Sequence, residues 1–126
     1  MEMMTKEAMI NSMCADAHNV AVAHGFYDEH NARMATLEAA GAGMQICEAA
    51  ERDFVLAQIA KIDSECGEAV HAIQHGEQPE RITEELADVV IRVLDLCGHM
   101  QADLGGILMR KMEKNSKRPY KHGKRC

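Results

Sequence analysis

The stretch IDSECGEAVHAIQHGEQPERITEELADVVIRVLDL, residues 62–96, contains two helical patterns separated by a turn. Apolar residues recur at helical spacing on both sides of Gly76, and Glu77-Gln78-Pro79 supplies the turn. A glycine just past one helix and a proline at the start of the next are the usual signals for such a boundary. Because the connection is short, the two helices must run antiparallel as a hairpin.

The rest of the chain is also predicted to be helical, from its apolar periodicity and from the glycines that end each pattern. We expect helices over 3–24, over about 47–75, from Pro79 or Thr83 to about 102, and over about 106–115. A weakly helical, Ala-rich stretch follows Gly25 and is broken around Gly41 and Gly43. Gly105-Gly106 is expected to end the fourth pattern.

The composition favours an all-α fold. Aromatic residues make up 3% of the chain, whereas Met alone contributes 10 residues, and good helix formers outnumber strand formers. A length of 126 residues suits one domain over 1–126 with a basic tail over about 116–126. We expect an antiparallel helical hairpin core, with about four to five helices, that assembles into an oligomeric bundle, because a small helical domain buries limited surface.

The 5 cysteines, at positions 14, 47, 66, 97 and 126, form no CxxC pair. A disulfide framework and a cysteine-based zinc site are therefore not expected. The thiols are interpreted as small core residues in a reducing cytoplasm. The start MEMMTKEAM lacks a signal pattern, and no apolar run approaches membrane-spanning length, so we expect a cytoplasmic protein with no membrane partner.

Charge is distributed unevenly along the chain. Residues 1–109 hold 19 acidic and 6 basic residues, a net charge of −13, whereas residues 110–126 hold 8 basic residues and one acid, Glu113, a net charge of +7. The acidic body would repel a phosphate backbone, so no nucleic acid polymer is expected as partner. A positive arm that closes over the phosphates of a small ligand fits this distribution better; a merely solubilising tail is the alternative.

Four carboxylates form the candidate site. Glu65 and Glu68 lie three residues apart on one helix face, and Glu85 and Asp88 repeat that spacing on the next helix. The pairs Glu65/Asp88 and Glu68/Glu85 are symmetric about the turn after Gly76, so an antiparallel hairpin places each pair at one level. Acids that converge beside an apolar seam repel one another, and a hard divalent cation, Mg²⁺ or Mn²⁺, relieves that cost. On spacing alone, a solvated acidic face is equally possible.

The hairpin and the tail together resemble a known family. IDSECGEAVHAIQHG (62–76), EELADVVIRVLDL (84–96) and KMEKNSKRPYKHGK (111–124) resemble the MazG-like all-α nucleoside triphosphate pyrophosphohydrolases, in their short, phage-type, single-domain branch. The family hallmark is ExxE followed by ExxD, here separated by a spacer of 16 residues. The KxxxNxxRPxxHGK tail makes the resemblance more specific, and HGFYDEHN (24–31) resembles the N-terminal stretch of that branch less specifically.

This resemblance implies a Mg²⁺-dependent hydrolase of nucleoside triphosphates, cleaving between the α and β phosphates to give a nucleoside monophosphate and pyrophosphate. It implies a dimer or tetramer, with the same four acids as metal ligands and catalytic residues. Glu65 is a candidate acceptor for the proton of the attacking water. The implied substrate-binding residues are Lys111, Asn115, Arg118 and Lys121. Ser64 stands where many relatives carry a further Glu, which leaves the number of metal ions open.

Two other functions remain open on the residues alone. The hairpin could belong to a non-catalytic helical oligomerisation or interaction module. Glu68 and His71 form an ExxH pair like those of di-iron carboxylate bundles, which need a second such pair that this chain lacks. His71 is therefore expected on the helix surface, and Arg92 is expected to pair with Asp88 and Asp95. Residues 26 and 27, Phe and Tyr, are expected in the core or an interface, or as part of a base pocket.

Overall fold

The computed structural model describes the backbone of residues 2–123 and the side chains of residues 2–121. The helices are α1 (Lys6–Ala23), α2 (Asp28–Ala39), α3 (Met44–Gln74), α4 (Pro79–His99) and α5 (Leu104–Ser116), followed by a 3-10 helix (Tyr120–Gly123). No strand occurs between residues 2 and 123, so the predicted all-α fold is confirmed. The end of the predicted basic tail, 124–126, lies outside the described residues, and Cys126 with it.

The predicted hairpin is present as α3 and α4, which pack along each other. His75 caps the end of α3, and Gly76 follows with a φ of +67°. This left-handed conformation costs glycine little, which is why the helix ends there. Pro79 occupies the first turn of α4, where its missing N–H group would have had no helical partner. Local signals therefore fix both ends of the connection.

The expectation that Gly105-Gly106 ends the fourth helix is wrong, because both glycines lie in the first turn of α5. The helix α4 ends earlier, at His99. Asp103 caps α5 by accepting a hydrogen bond from Gly106 N–H (2.9 Å). Asn11 of α1 donates to the same carboxylate (2.8 Å). Gly105 is required for packing, since a Cβ atom there would collide with the backbone of Glu7.

The helix α4 is central, with α1 on one side and α3 on the other. The helix α5 packs against α1, and α2 packs against α3. Gly98 lets α4 approach α1 closely, because a Cβ atom there would lie 2.6 Å from the carbonyl oxygen of Cys14. The arrangement places the loop between α1 and α2 beside the middle of the hairpin, where the acids are.

The core is small and is built mainly from alanine, cysteine and leucine. Its buried apolar members are Cys14, Ala21, Tyr27, Ala69, Ala72, Leu94 and Leu96. Among residues 2–121 no large side chain is completely buried. Cys66, expected in the core, is exposed, because it belongs to a face of α3 whose apolar residues are left exposed by the described part of the chain. None of the described helices combines the length and apolar character needed to cross a membrane.

That face of α3 carries an apolar stripe. Its members follow helical spacing and each is half-exposed or more: Leu56, Ile59, Val70 and Ile73 with Cys66. On α4, Leu86 and Val90 are exposed to a similar degree. Water-exposed apolar side chains in such a stripe are typical of a surface that another chain covers.

Candidate metal and substrate site

The structure brings three of the four predicted acids together. Glu65 of α3 and the pair Glu85 and Asp88 of α4 each offer a carboxylate oxygen, and these oxygens lie within 4.8 Å of one another. The antiparallel hairpin produces this arrangement. It places Glu65 of α3 opposite the part of α4 in which Glu85 and Asp88 lie one turn apart. An all-oxygen set of this size suits Mg²⁺ or Mn²⁺.

Glu68 lies one turn beyond Glu65 on α3, and its side chain is exposed. It is not part of the group formed by the other three acids. The structure therefore positions Glu68 at the edge of the cluster, and its role as a ligand stays a prediction.

Two arginines neutralise the cluster. Arg92 Nε donates to Glu65 Oε1 at 2.7 Å, and Arg81 Nη2 lies 2.7 Å from Glu85 Oε1. Arg92 was expected to pair with acids of its own helix; it reaches across the hairpin to Glu65 instead, because the long side chain spans the gap between α4 and α3. Asp88 has no ion-pair partner among the described side chains.

Burial distinguishes two acids of this cluster from a solvated acidic face, whereas Asp88 is exposed. Glu85 retains only 7% of its surface exposed, and the Glu65 side chain retains 20%. A buried carboxylate without a counter-charge is costly, so Glu65 and Glu85 each require a cation. The guanidinium groups of Arg92 and Arg81 supply it.

A pocket of about 410 Å³ opens beside the acids, a volume typical of small-molecule sites. Its apolar lining includes Val20, Phe26 and Ile91. Its charged lining consists of Glu65, Asp88, Lys61, Arg92 and Asp95. The pocket therefore offers a ligand both apolar and charged contacts.

Asp95 fixes the position of Tyr27 in this pocket. The Tyr27 hydroxyl donates to Asp95 Oδ1 at 2.8 Å, and His18 Nδ1 lies 3.0 Å from the same oxygen. Burial, followed by the hydrogen bond to Asp95, raises the pKa of Tyr27 above its usual range. Both residues line the pocket together with Phe26, so the aromatic pair of the sequence contributes to its wall.

The predicted substrate-binding residues of the tail lie outside this pocket. Lys111 and Asn115 are one turn apart on α5, which ends at Ser116, so Arg118 lies beyond the helix. Lys121 lies in the 3-10 helix. Among the residues described up to Lys121, none of α5 or of the tail lines the pocket, because α5 packs against α1.

The Lys61 and Gln58 side chains were missed by sequence reasoning, although a signal for them exists. They precede Glu65 at helical spacing and line the same pocket. A second group of possible metal ligands, His30, Glu51 and His99, was also missed. Its members come from three different helices, and no spacing in the sequence connects them.

The di-iron interpretation gains no support from the geometry. His71 is exposed, as expected, and its ring lies 3.9 Å from that of His75. The ExxH pair Glu68 and His71 belongs to neither group of possible ligands found among the described residues.

Comparison with known proteins bears on the hairpin and the tail. No curated protein and no solved structure matches the chain significantly. Residues 55–122, more than half of the chain, match the family model of the MazG nucleotide pyrophosphohydrolase domain. The matched region contains the carboxylate cluster, Arg81, Arg92 and the predicted substrate-binding residues Lys111 to Lys121. The chain therefore belongs to the MazG nucleotide pyrophosphohydrolase family.

Proposed function

We propose that the chain is a Mg²⁺-dependent nucleotide pyrophosphohydrolase that cleaves (d)NTPs between the α and β phosphates, giving a (d)NMP and pyrophosphate. The observation that carries the proposal is the convergence of Glu65, Glu85 and Asp88 within 4.8 Å, two of which, Glu65 and Asp88, also line the pocket. The family membership supports the same reaction class. In the proposed complex the base contacts the apolar lining and the triphosphate extends toward the acids.

The residues present fit magnesium, which prefers oxygen ligands. Glu65, Glu85 and Asp88 would hold it, and Glu68 is proposed as the fourth carboxylate; Mn²⁺ is the expected substitute. When bound, the metal neutralises phosphate charge and lowers the pKa of a bound water. The arginine contacts that now neutralise the acids are solvent-accessible, so they can exchange for a metal and a substrate.

The chemical step needs a proton acceptor and cationic partners for the phosphates. The water oxygen forms a bond to the α phosphorus, the bond from that phosphorus to the bridging oxygen breaks, and pyrophosphate leaves. The water proton passes to a carboxylate, for which Glu65 is the candidate. Arg92 and Lys61 line the same pocket as Glu65 and suit phosphate oxygens.

The active form is proposed to be a homodimer or homotetramer in the cytoplasm, of the short phage-type branch, with residues 1–126 acting as one domain. The exposed stripe on α3 is the proposed contact surface. Because no described residue of the tail lines the pocket of its own chain, the proposal assigns Lys111, Asn115, Arg118 and Lys121 to a substrate bound by a neighbouring chain. The Asn115 Oδ1 atom is buried and has no partner among the described residues.

The test measures pyrophosphate release from a panel of (d)NTPs, with Mg²⁺ and with a chelator. We expect Asp88→Asn and Glu68→Ala to lose activity, Asp88→Asn by roughly 100-fold or more, because a metal site supplies several kcal/mol of transition-state stabilisation. Glu38→Gln, which removes an exposed acid of α2, is the matched control and should retain full activity. Absence of turnover with every nucleotide would rule the proposal out.

Labelled water locates the bond that breaks. In H₂¹⁸O, attack at the α phosphorus places the label in the nucleoside monophosphate. Label recovered only in pyrophosphate would mean attack at the β phosphorus, and would contradict the proposed cleavage site while leaving hydrolysis itself intact.

A non-catalytic interaction module is the second candidate, and the arginine pairs favour it. Arg81 and Arg92 already compensate two of the acids, so the cluster needs no metal to be stable. Melting with and without Mg²⁺ separates the two functions. A higher melting temperature in Mg²⁺ indicates a real metal site, whereas an unchanged one favours the module.

A further inference from the structure

Three helices converge on a second site that contains two imidazoles and one carboxylate. His30 of α2 places Nε2 at 2.7 Å from Glu51 Oε2 of α3, and His99, the last residue of α4, places Nε2 at 2.6 Å from Glu51 Oε1. One ligand atom from each residue lies within 4.8 Å of the other two. Burial raises the pKa of Glu51, but the hydrogen bonds from His99 and His30 outweigh it and lower the pKa overall.

The site is distinct from the carboxylate cluster. Glu51 precedes Glu65 by 14 residues on one helix, which corresponds to roughly 21 Å along the axis of α3. The carboxylate cluster offers only oxygen, whereas this group offers two nitrogens. The two groups therefore select different cations.

Aromatic side chains hold both imidazole rings. The Phe54 ring stacks on His30 at 3.8 Å with an angle of 15° between the planes, and Tyr27 stacks on His99 at 5.1 Å. The His30 side chain is only 5% exposed, whereas the Glu51 side chain is 40% exposed. The rings are therefore fixed with Nε2 pointing at one carboxylate, and the carboxylate side of the group is open to solvent.

We propose that His30, Glu51 and His99 bind a transition-metal dication of the zinc type. Zinc takes imidazole nitrogen at about 2.0–2.1 Å and carboxylate oxygen at a similar distance, in a tetrahedron whose ligand atoms lie roughly 3.3 Å apart. The His30–Glu51 and His99–Glu51 separations of 2.7 and 2.6 Å must therefore widen by roughly 0.6 Å to admit the ion. The Glu51 side chain is 40% exposed, so it can make that movement. Three protein ligands leave a fourth position, which faces solvent beside Glu51 and takes water.

The metal would fasten α2 to the rest of the molecule. Among the helices, α2 packs chiefly against α3, and the segment that leads into it carries Tyr27 into the wall of the nucleotide-sized pocket. A metal that joins α2 to α3 and α4 would hold that wall in place. This inference does not depend on the proposed hydrolase activity.

The test measures zinc binding by chelator-treated protein in excess Mg²⁺, which occupies the carboxylate cluster. We expect about one Zn²⁺ per chain by elemental analysis, and a higher melting temperature with Zn²⁺ than with Mg²⁺ alone. The His30→Gln and His99→Gln variants should lose both effects. His71→Gln is the matched control, because His71 and His75 form an exposed pair, at i and i+4, that could itself bind zinc.

A measurement on the unmodified chain keeps the proposal testable if a variant does not fold. Nitrogen NMR of the histidine rings, with and without Zn²⁺, identifies which nitrogens become ligands. Movement of the Nε2 signals of His30 and His99 supports the site. Movement confined to His71 and His75, or zinc binding undiminished in His30→Gln, would overturn it and leave the group as a hydrogen-bonded clasp.

Discussion

Arg92 pairs with the carboxylate that the proposed metal would also use. Arg92 Nε donates to Glu65 at 2.7 Å, and the two side chains are 42% and 20% exposed. An ion pair with this exposure is worth about 0.2–1 kcal/mol, which is weak enough for the proposed dication to displace it. The arginine therefore relieves repulsion between the acids without opposing the proposed metal.

Replacing Arg92 should make the chain more dependent on Mg²⁺. We expect Arg92→Gln to lower the free energy of unfolding by about 0.5–1 kcal/mol in chelator, because Glu65 then faces its neighbouring acids without a counter-charge. Melting in a Mg²⁺ titration should show a larger stabilisation in the variant than in the parent chain.

Arg33→Gln is the control for that comparison, since Arg33 pairs with the exposed Glu29 on α2 and is remote from the acids. Its response to Mg²⁺ should equal that of the parent chain. An equal response in Arg92→Gln would mean that the cation does not bind at Glu65.

At the same scale, sequence spacing identified the acids but not the side chains that compensate them. Glu65, Glu85 and Asp88 can be predicted because helix spacing and a symmetric turn determine where they lie. The partner of Arg92 could not be predicted, because a long side chain can reach its own helix or the facing one, and the choice depends on the distance between the helices. Glu51 belongs to a site made by packing alone.

Helix boundaries depend on local capping interactions, so they were predicted more closely than the partners of individual side chains. Thr5 accepts a hydrogen bond from Ala8 N–H at the start of α1, and Pro79 begins α4; both signals are visible in the sequence. The glycines were harder to interpret. Gly76 ends a helix, whereas Gly105 lies inside one because α1 must approach it closely, and that requirement is set by a distant part of the chain.

Two helical glycines allow the cost of close packing to be measured. A Cβ atom at Gly98 would lie 2.6 Å from Cys14 O and 2.6 Å from His18 Cβ, whereas a Cβ atom at Gly67 would meet nothing within 4 Å. Replacing glycine by alanine inside a helix gains about 0.5–1 kcal/mol, and overpacking costs roughly 1–3 kcal/mol.

We therefore expect Gly98→Ala to be destabilising and Gly67→Ala to be stabilising by about 0.5–1 kcal/mol. Denaturant unfolding of the two variants beside the parent chain provides the comparison. If Gly98→Ala were as stabilising as Gly67→Ala, the close approach of α1 and α4 would not exist in solution.

Over the whole molecule, the arrangement of helices could not be predicted from the sequence. The hairpin of α3 and α4 follows from its short turn, but the central position of α4 and the packing of α5 on α1 depend on contacts between distant segments. Apolar periodicity predicts which face of a helix is suited to burial. It does not predict whether that face packs against the same chain or against another chain. The stripe on α3 carries the same signal as a core face, yet no helix of the same chain covers it.

The exposed stripe leads to the prediction that the chain associates. Val70 and Ile73 are 53% and 60% exposed, so a monomer would leave a continuous apolar surface in water. Sedimentation should give a multiple of 13.9 kDa, and the melting temperature should rise with protein concentration.

Val70→Glu places a charge in the stripe and should shift the chain toward the monomer. Ala57→Glu, on the other side of α3, should leave the assembly unchanged. A mass of 13.9 kDa at every concentration would refute association through α3, and the tail would then have to reach the pocket of its own chain.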